Sequence, residues 1–148
     1  AVNSETILAT QSDLEALEWI ETHTPEDARF FVNTTNWGFG IHRGVDGGGW
    51  MLPITGRWSL APTVFYPMIA DQNFIQSVTD MGMRASSITE CGDDFWLLVR
   101  DARINYLYIK EGAGSLQPEA LIACDGVDQL INIEDVHIYL ITKPADAP

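Results

Sequence analysis

"INYLYIKE", residues Ile104 to Glu111, is the most strand-like stretch of the chain, rich in β-branched and aromatic side chains and free of glycine and proline. Its composition predicts a strand at the centre of a sheet. Just upstream, Gly92-Asp93 introduces a helix in which Phe95, Leu98, Val99 and Ala102 share one face. Downstream, "EGAGSLQ" reads as a turn. Pro118 then sits where a first helical turn accepts proline, opening a short helix through Cys124. The closing segment "VDQLINIEDVHIYLITK" reads as two strands in a hairpin, with Val136, Ile138 and Leu140 on one side and His137, Tyr139 and Ile141 on the other.

Moving toward the N-terminus, Asp71 is a helix N-cap followed by Phe74, Val78 and Met81 at helical spacing. Residues 36–70 form an island rich in Gly, Trp and Pro, with Arg43, Asp46 and Arg57 as its only full charges. A second strand is expected near Trp50 to Ile54, with loops on both sides. "RFFVNT" reads as a short strand covered on both faces, since its apolar residues are consecutive. Ser12, with Asp13 and Glu15, forms a capping box for a helix through about Thr22. Its buried face centres on Ala16, Leu17 and Ile20, flanked by Leu14 and Trp19, and Pro25 ends it. Helix and strand thus alternate, which predicts one α/β domain over residues 1–148. Its layers are a mostly parallel central sheet, helices packed on it and a C-terminal antiparallel hairpin.

A chain of 148 residues closes a single hydrophobic core without staples. Twenty-one acidic against eight basic residues give a net charge of −13, which repels phosphate backbones and excludes nucleic acid as a partner. The opening "AVNSETILATQSDLEALEW" carries neither a basic leader nor a sustained apolar run. The longest uncharged run, "WSLAPTVFYPMIA", holds two prolines and is too short to cross a bilayer as a helix. For Cys91 and Cys124, two buried free thiols are the plainer expectation and a bridge in an exported domain the alternative. No zinc pattern accompanies them, and no metal or other cofactor is expected.

Several constellations have a plain reading beside a chemical one. "EGAGSL" lies where a dinucleotide fold carries its phosphate turn, but the third glycine is missing, and Ser115 stands in no G-x-S-x-G. His42, Asp46 and Asp71 would make a small hydrolase only if they converged. His23, at a helix end, and His137, on an alternating strand, read as structural. Asn33-Thr34-Thr35 matches a glycosylation sequon. Trp19 and Trp96 lie on helices and read as core. Trp37, Trp50 and Trp58 crowd the uncharged island beside Phe39, Phe65 and Tyr66. Either these aromatics pack under their own loops, or they form an apolar patch that meets a membrane interface, another domain or a sugar ring.

"DLEALEWIETHTPEDARFFVNT", "GVDGGGWMLPITGR" and "INYLYIKEGAGSLQPEAL", closed by "VHIYLI", resemble the C-terminal soluble region of multi-spanning bacterial and archaeal membrane proteins. These look like glycosyltransferases of the polyprenyl-phosphate-sugar type. The layout is also similar to the soluble domain of oligosaccharyltransferase catalytic subunits, in which a helix, a "TP-DA" turn and a strand precede the W-W-D-Y-G acceptor-binding motif. Here that place reads Asn36-Trp37-Gly38-Phe39-Gly40, so the motif's acidic residue is absent and no acceptor-binding role carries over.

The resemblance implies a domain excised from a larger membrane protein and hung on its extracytoplasmic face. Its partners would be the transmembrane portion of the parent and a lipid-linked sugar or saccharide. Such transferases keep their catalytic carboxylate in an early loop between membrane spans, which this chain lacks. The domain is therefore expected to shape or cover a substrate site without catalysing, whereas the parent is a glycosyltransferase candidate. Trp37, Asp46, Trp50, Thr55 and Arg57 are the candidate docking or substrate-binding residues, with Arg57 free to pair with a phosphate, a carboxylate or Asp46. An independent saccharide- or small-ligand-binding module is the alternative, and the hydrolase a second one.

Overall fold

The computed structural model describes residues 10–38, 41–61 and 71–143. In chain order the elements are α1 (Gln11–His23), β1 (Arg29–Val32), β2 (Thr34–Gly38) and β3 (Ile41–Gly44). A 3-10 turn (Gly47–Trp50) then runs into the short helix α2 (Met51–Thr55), followed by β4 (Trp58–Ser59), α3 (Gln72–Ser86) and α4 (Asp93–Ala102). The chain ends with β5 (Tyr106–Lys110), a second 3-10 turn (Pro118–Leu121), β6 (Val127–Ile133) and β7 (Val136–Ile141).

The strand predicted at Ile104 to Glu111 is β5, and it is central: the sheet order is β4-β1-β5-β7-β6. β1 pairs in parallel with β4 and with β5, while β7 runs antiparallel to both β5 and β6. Four strands therefore point one way and β7 alone opposes them. This is the mostly parallel α/β sheet with a C-terminal hairpin that the sequence predicts. β2 and β3 form a separate two-stranded hairpin.

β1 shows why consecutive apolar residues signal a covered strand. Phe30 stacks on Tyr106 with ring centroids 5.1 Å apart, and Phe31 meets Phe95 of α4 edge-on from the other face. Both phenylalanines are fully buried, as are Ala16, Leu17 and Ile20 of α1 and Phe95, Leu98 and Val99 of α4. Each large side chain so buried contributes about 1.5–3 kcal/mol.

The caps agree in part. Asp71 Oδ1 accepts the Phe74 N–H at 2.8 Å and Gly92 is the N-cap of α4. On α1 the cap is Thr10 rather than Ser12. Asp13 accepts the Thr10 backbone N–H at 2.9 Å, and Ser12 instead donates its hydroxyl to Asp135 at 2.6 Å.

Other expectations are corrected. Trp50 to Ile54 is not a strand: the 3-10 turn and α2 occupy that stretch. The helix opened by Pro118 stops at Leu121. Cys91 and Cys124 are not free thiols but a disulfide, with Cα atoms 5.9 Å apart and a sequence separation of 33. A bridge of that span stabilises by about 3–4 kcal/mol through the unfolded chain it constrains.

"EGAGSL" is the plain turn its sequence suggested, and it seats on Asn33. The Asn33 side chain is buried, donates to the Ala113 and Leu116 carbonyls at 3.2 and 2.9 Å, and accepts the Leu116 N–H at 3.1 Å. Its amide nitrogen is engaged in the interior, so the sequon offers no acceptor in the folded protein.

Candidate functional site

The charge-poor segment from Gly44 to Arg57 packs against α1, Val32 of β1 and Tyr108 of β5, and at Gly47 and Gly48 those neighbours leave no room for a side chain. A Cβ at Gly47 would lie 2.4 Å from the Asp13 carboxyl carbon, and one at Gly48 would lie 2.6 Å from a Val32 methyl. That close approach lets two carboxylates grip the backbone. Asp13 Oδ1 accepts the Gly47 N–H at 3.2 Å, and Asp46 Oδ1 accepts the Gly48 N–H at 2.8 Å, capping the 3-10 turn.

Asp13 is the hub of this clamp. It is fully buried, accepts Lys110 Nζ at 2.6 Å and takes a hydrogen bond from the Tyr108 hydroxyl. Burial opposes its charge, but the bonds from Lys110, Tyr108 and Thr10 outweigh that cost and hold its pKa below the ordinary carboxylate value. For Asp46 the compensation falls short. Burial, with the nearby Asp13 and Asp135 charges adding to it, pushes its pKa up to about 7 against the opposing Gly48 bond and Lys110 charge, and its Oδ2 has no hydrogen-bond partner among the described residues. Tyr108 is pushed far above its ordinary value by burial and then by the Asp13 and Asp46 carboxylates.

The far end of the segment is tied just as firmly. Thr55 Oγ1 donates to the Met51 carbonyl at 2.6 Å, and Gly56 closes α2 in the left-handed region at φ 75°. The Arg57 guanidinium is buried and donates to the carbonyls of Thr55, Glu21 and Thr24 at 2.6, 3.0 and 2.7 Å. It binds α2 to the C-terminal end of α1, and no ion pair with Asp46 is formed among the described residues.

Between these anchors the chain turns hydrocarbon outward. Met51 is buried, but Trp50, Leu52 and Ile54 are 45%, 47% and 41% exposed, and Pro53 is exposed between them. Four of the five candidates thus lie on one segment in two roles. Asp46, Thr55 and Arg57 are buried and shape the turn, while Trp50 faces solvent. The fifth, Trp37, lies in β2 with its side chain outside the described residues.

Leu52, Pro53 and Ile54 were missed because a strand reading would have buried alternate members of that run. The signal was available in the uncharged "WMLPI" itself. Asp13 and Lys110 were missed as well, since nothing local distinguishes a helix-start aspartate or a strand-end lysine that will meet across the fold.

The remaining tryptophans have partners. Trp58 is half-buried under the Arg29 guanidinium, 3.7 Å from its centroid, and Trp19 stacks on His23 at 4.7 Å. Phe39, Phe65 and Tyr66 lie outside the described residues. Asp71 is occupied in capping α3, and the His42 side chain lies outside the described residues. Among the described residues, no group of three or more His, Cys, Asp or Glu side chains could hold a metal, and no helix is long and apolar enough to cross a membrane.

No protein-family model and no curated protein sequence matches the chain. Among solved structures, the C-terminal globular domain of oligosaccharyltransferase from Archaeoglobus fulgidus superposes with a TM-score of 0.52, covering 89% of this chain and 97% of that one. The fold is similar to that oligosaccharyltransferase domain. Sequence identity is 14%, so the likeness is one of fold. It agrees with the resemblance drawn from the helix, the "TP-DA" turn and the strand that follows.

Proposed function

We propose that this chain is a non-catalytic extracytoplasmic domain of a membrane glycosyltransferase-like protein, and that it docks on the parent's transmembrane portion through the turn Trp50 to Ile54, where it covers a substrate site. The observation that carries this reading is the exposure of four consecutive-to-near apolar residues on a turn whose backbone is held by buried carboxylates and a buried guanidinium. A rigid uncharged surface on a chain of net charge −13 suits an apolar partner, because ordering it costs little further entropy on association. Two observations support the setting. The fold is similar to an oligosaccharyltransferase C-terminal globular domain, and the Cys91–Cys124 disulfide is characteristic of oxidising compartments outside the cytoplasm.

The reading is tested first on the complete reading frame, which should encode apolar spans of about twenty residues ahead of Ala1. A frame without them ends it. In the complete protein, Ile54→Cys should react with a membrane-impermeant maleimide several-fold more slowly than Thr89→Cys, an exposed position on the loop before α4. Equal rates at the two positions would mean that nothing covers the turn.

A further inference from the structure

The clamp contains one ionisable group whose charge the fold does not settle. Asp46 is 1% exposed, and of its two oxygens only Oδ1 has a partner among the described residues, the Gly48 N–H. The groups facing it come from three other elements: Asp13 from α1, Tyr108 and Lys110 from β5, and Asp135 from the turn between β6 and β7. Their donors are already engaged. Lys110 gives its ammonium to Asp13 and Thr10 at 2.6 and 3.0 Å, the Tyr108 hydroxyl also goes to Asp13, and Ser12 donates to Asp135. Asp46 is left beside two carboxylates and sealed from water, where the ionised form is costly and the neutral acid is not.

The backbone that carries Asp46 can open as one piece. Upstream, the Val45 N–H is fixed to the Asn33 carbonyl at 3.1 Å, and downstream Arg57 is fixed to the α1 carbonyls. Between these anchors lie Gly47, Gly48 and Gly49 at one end and Gly56 at the other, so backbone rotation is available on both sides of Trp50, Leu52 and Ile54. Three bonds close the front of this piece: Asp13 on the Gly47 N–H, the Asp46 side chain on the Gly48 N–H, and the Asp46 carbonyl on the Gly49 N–H at 3.2 Å. Two of the three run through Asp46.

We propose that Asp46 is a proton-operated latch: as the neutral acid it keeps the turn from Gly47 to Ile54 closed with its hydrocarbon in the docking position, and on ionising it draws the turn open to water. The effect on docking rests on the function proposed above, whereas the latch itself does not. Burial first, and the neighbouring carboxylates after it, raise the Asp46 pKa to about 7 in the closed turn, against 3.8 for the group in water. The advantage of the closed form is therefore complete below about pH 4 and lost as pH rises from there through 7. Because opening releases one proton, each pH unit in that window raises the open population about tenfold.

Amide hydrogen exchange of the 148-residue chain at pH 5 and pH 7, with rates divided by their intrinsic values, tests the latch. Gly48 and Gly49 should be less protected than Leu107 and Ile109 of β5 at both pH values, and their protection should fall by more than about tenfold between them. In Asp46→Asn the fall should shrink to less than about threefold. Equal protection of the turn and β5 would mean that the turn opens only with the whole fold, and would overturn the latch in the unaltered chain alone; so would a fall as steep in Asp46→Asn. In the complete protein, the ratio of maleimide rates at Ile54→Cys and Thr89→Cys should rise several-fold from pH 5 to pH 7. A ratio that stays low at both overturns the control of docking, and a ratio of one at both overturns the docking surface but not the latch.

Discussion

Two glycine-rich segments, Gly44 to Gly49 and Gly112 to Gly114, look alike in sequence and lead to opposite surfaces. In the first, Gly47 and Gly48 have no room for a side chain, because the backbone is pressed onto Asp13, Val32 and Tyr108. In the second, Gly112 and Gly114 take left-handed backbone, at φ 78° and 85°; Gly112 has open space around it, whereas Gly114 is also pressed onto a side chain, 2.3 Å separating its would-be Cβ from that of Asn33. The first segment ends in an exposed apolar turn, whereas the second folds inward onto Asn33 and closes the end of the sheet. Glycine content alone therefore says nothing about function here. What separates the two is whether the chain beyond the glycines shows hydrocarbon or hides it.

The sharpest way to break this comparison is to fill the space. Gly47→Ala drives a methyl into the Asp13 carboxylate and should cost about 3 kcal/mol or more in urea denaturation. Gly112→Ala meets no atom within 4 Å and pays only for its left-handed backbone, about 1–2 kcal/mol. If the two variants lose the same stability, close approach is not what the first segment's glycines provide.

A pH titration probes the clamp itself. Because the folded-state pKa of Asp46 is raised to about 7, the folded protein holds a proton that the unfolded chain releases near its ordinary value of 3.8. Stability from this group is complete below about pH 4 and is lost as pH rises from there through 7, by on the order of 4 kcal/mol. Asp46→Asn keeps an acceptor for the Gly48 N–H and should flatten the fall in thermal midpoint between pH 5 and pH 8. An unchanged slope would remove Asp46 as its source.

The smallest effect belongs to the exposed turn. Leu52→Ser and Ile54→Ser should each change the stability of the chain by less than about 0.5 kcal/mol, since neither side chain is buried. A loss above about 2 kcal/mol for either would show that the turn is part of the core and has no surface to offer.

How far the sequence could be read depended on whether an element announced itself locally. "INYLYIKE" did, through its composition, and so did the hairpin at Val127 to Ile141 and the caps at Asp71 and Gly92. "MLPI" did not, because a short apolar run has no periodicity that separates strand from helix, and Pro53 in the first turn of α2 costs the helix no hydrogen bond. The β2–β3 hairpin was hidden in the polar "TTNWG" and the glycine island. Ser12 fitted the capping-box spacing as well as Thr10 does, and only the partner Asp135, far along the chain, drew its hydroxyl away. The disulfide depends on bringing two Cα atoms within 5.9 Å, a fact of the fold that two isolated cysteines do not encode. In the candidate site, the uncharged island was legible as a region. Its division into buried supports and one exposed surface came only from the tertiary contacts of Asp13, Tyr108, Lys110 and the α1 carbonyls.

Hydroxyl-radical footprinting of the complete protein in a lipid bilayer tests the central claim most directly, because Phe74 and Leu130 match the turn in exposure and serve as internal references. The account predicts that Trp50, Leu52 and Ile54 are oxidised far less than their exposure in this structure implies, while Phe74 and Leu130 are not protected. Oxidation of all five in proportion to their exposure and intrinsic reactivity would contradict it.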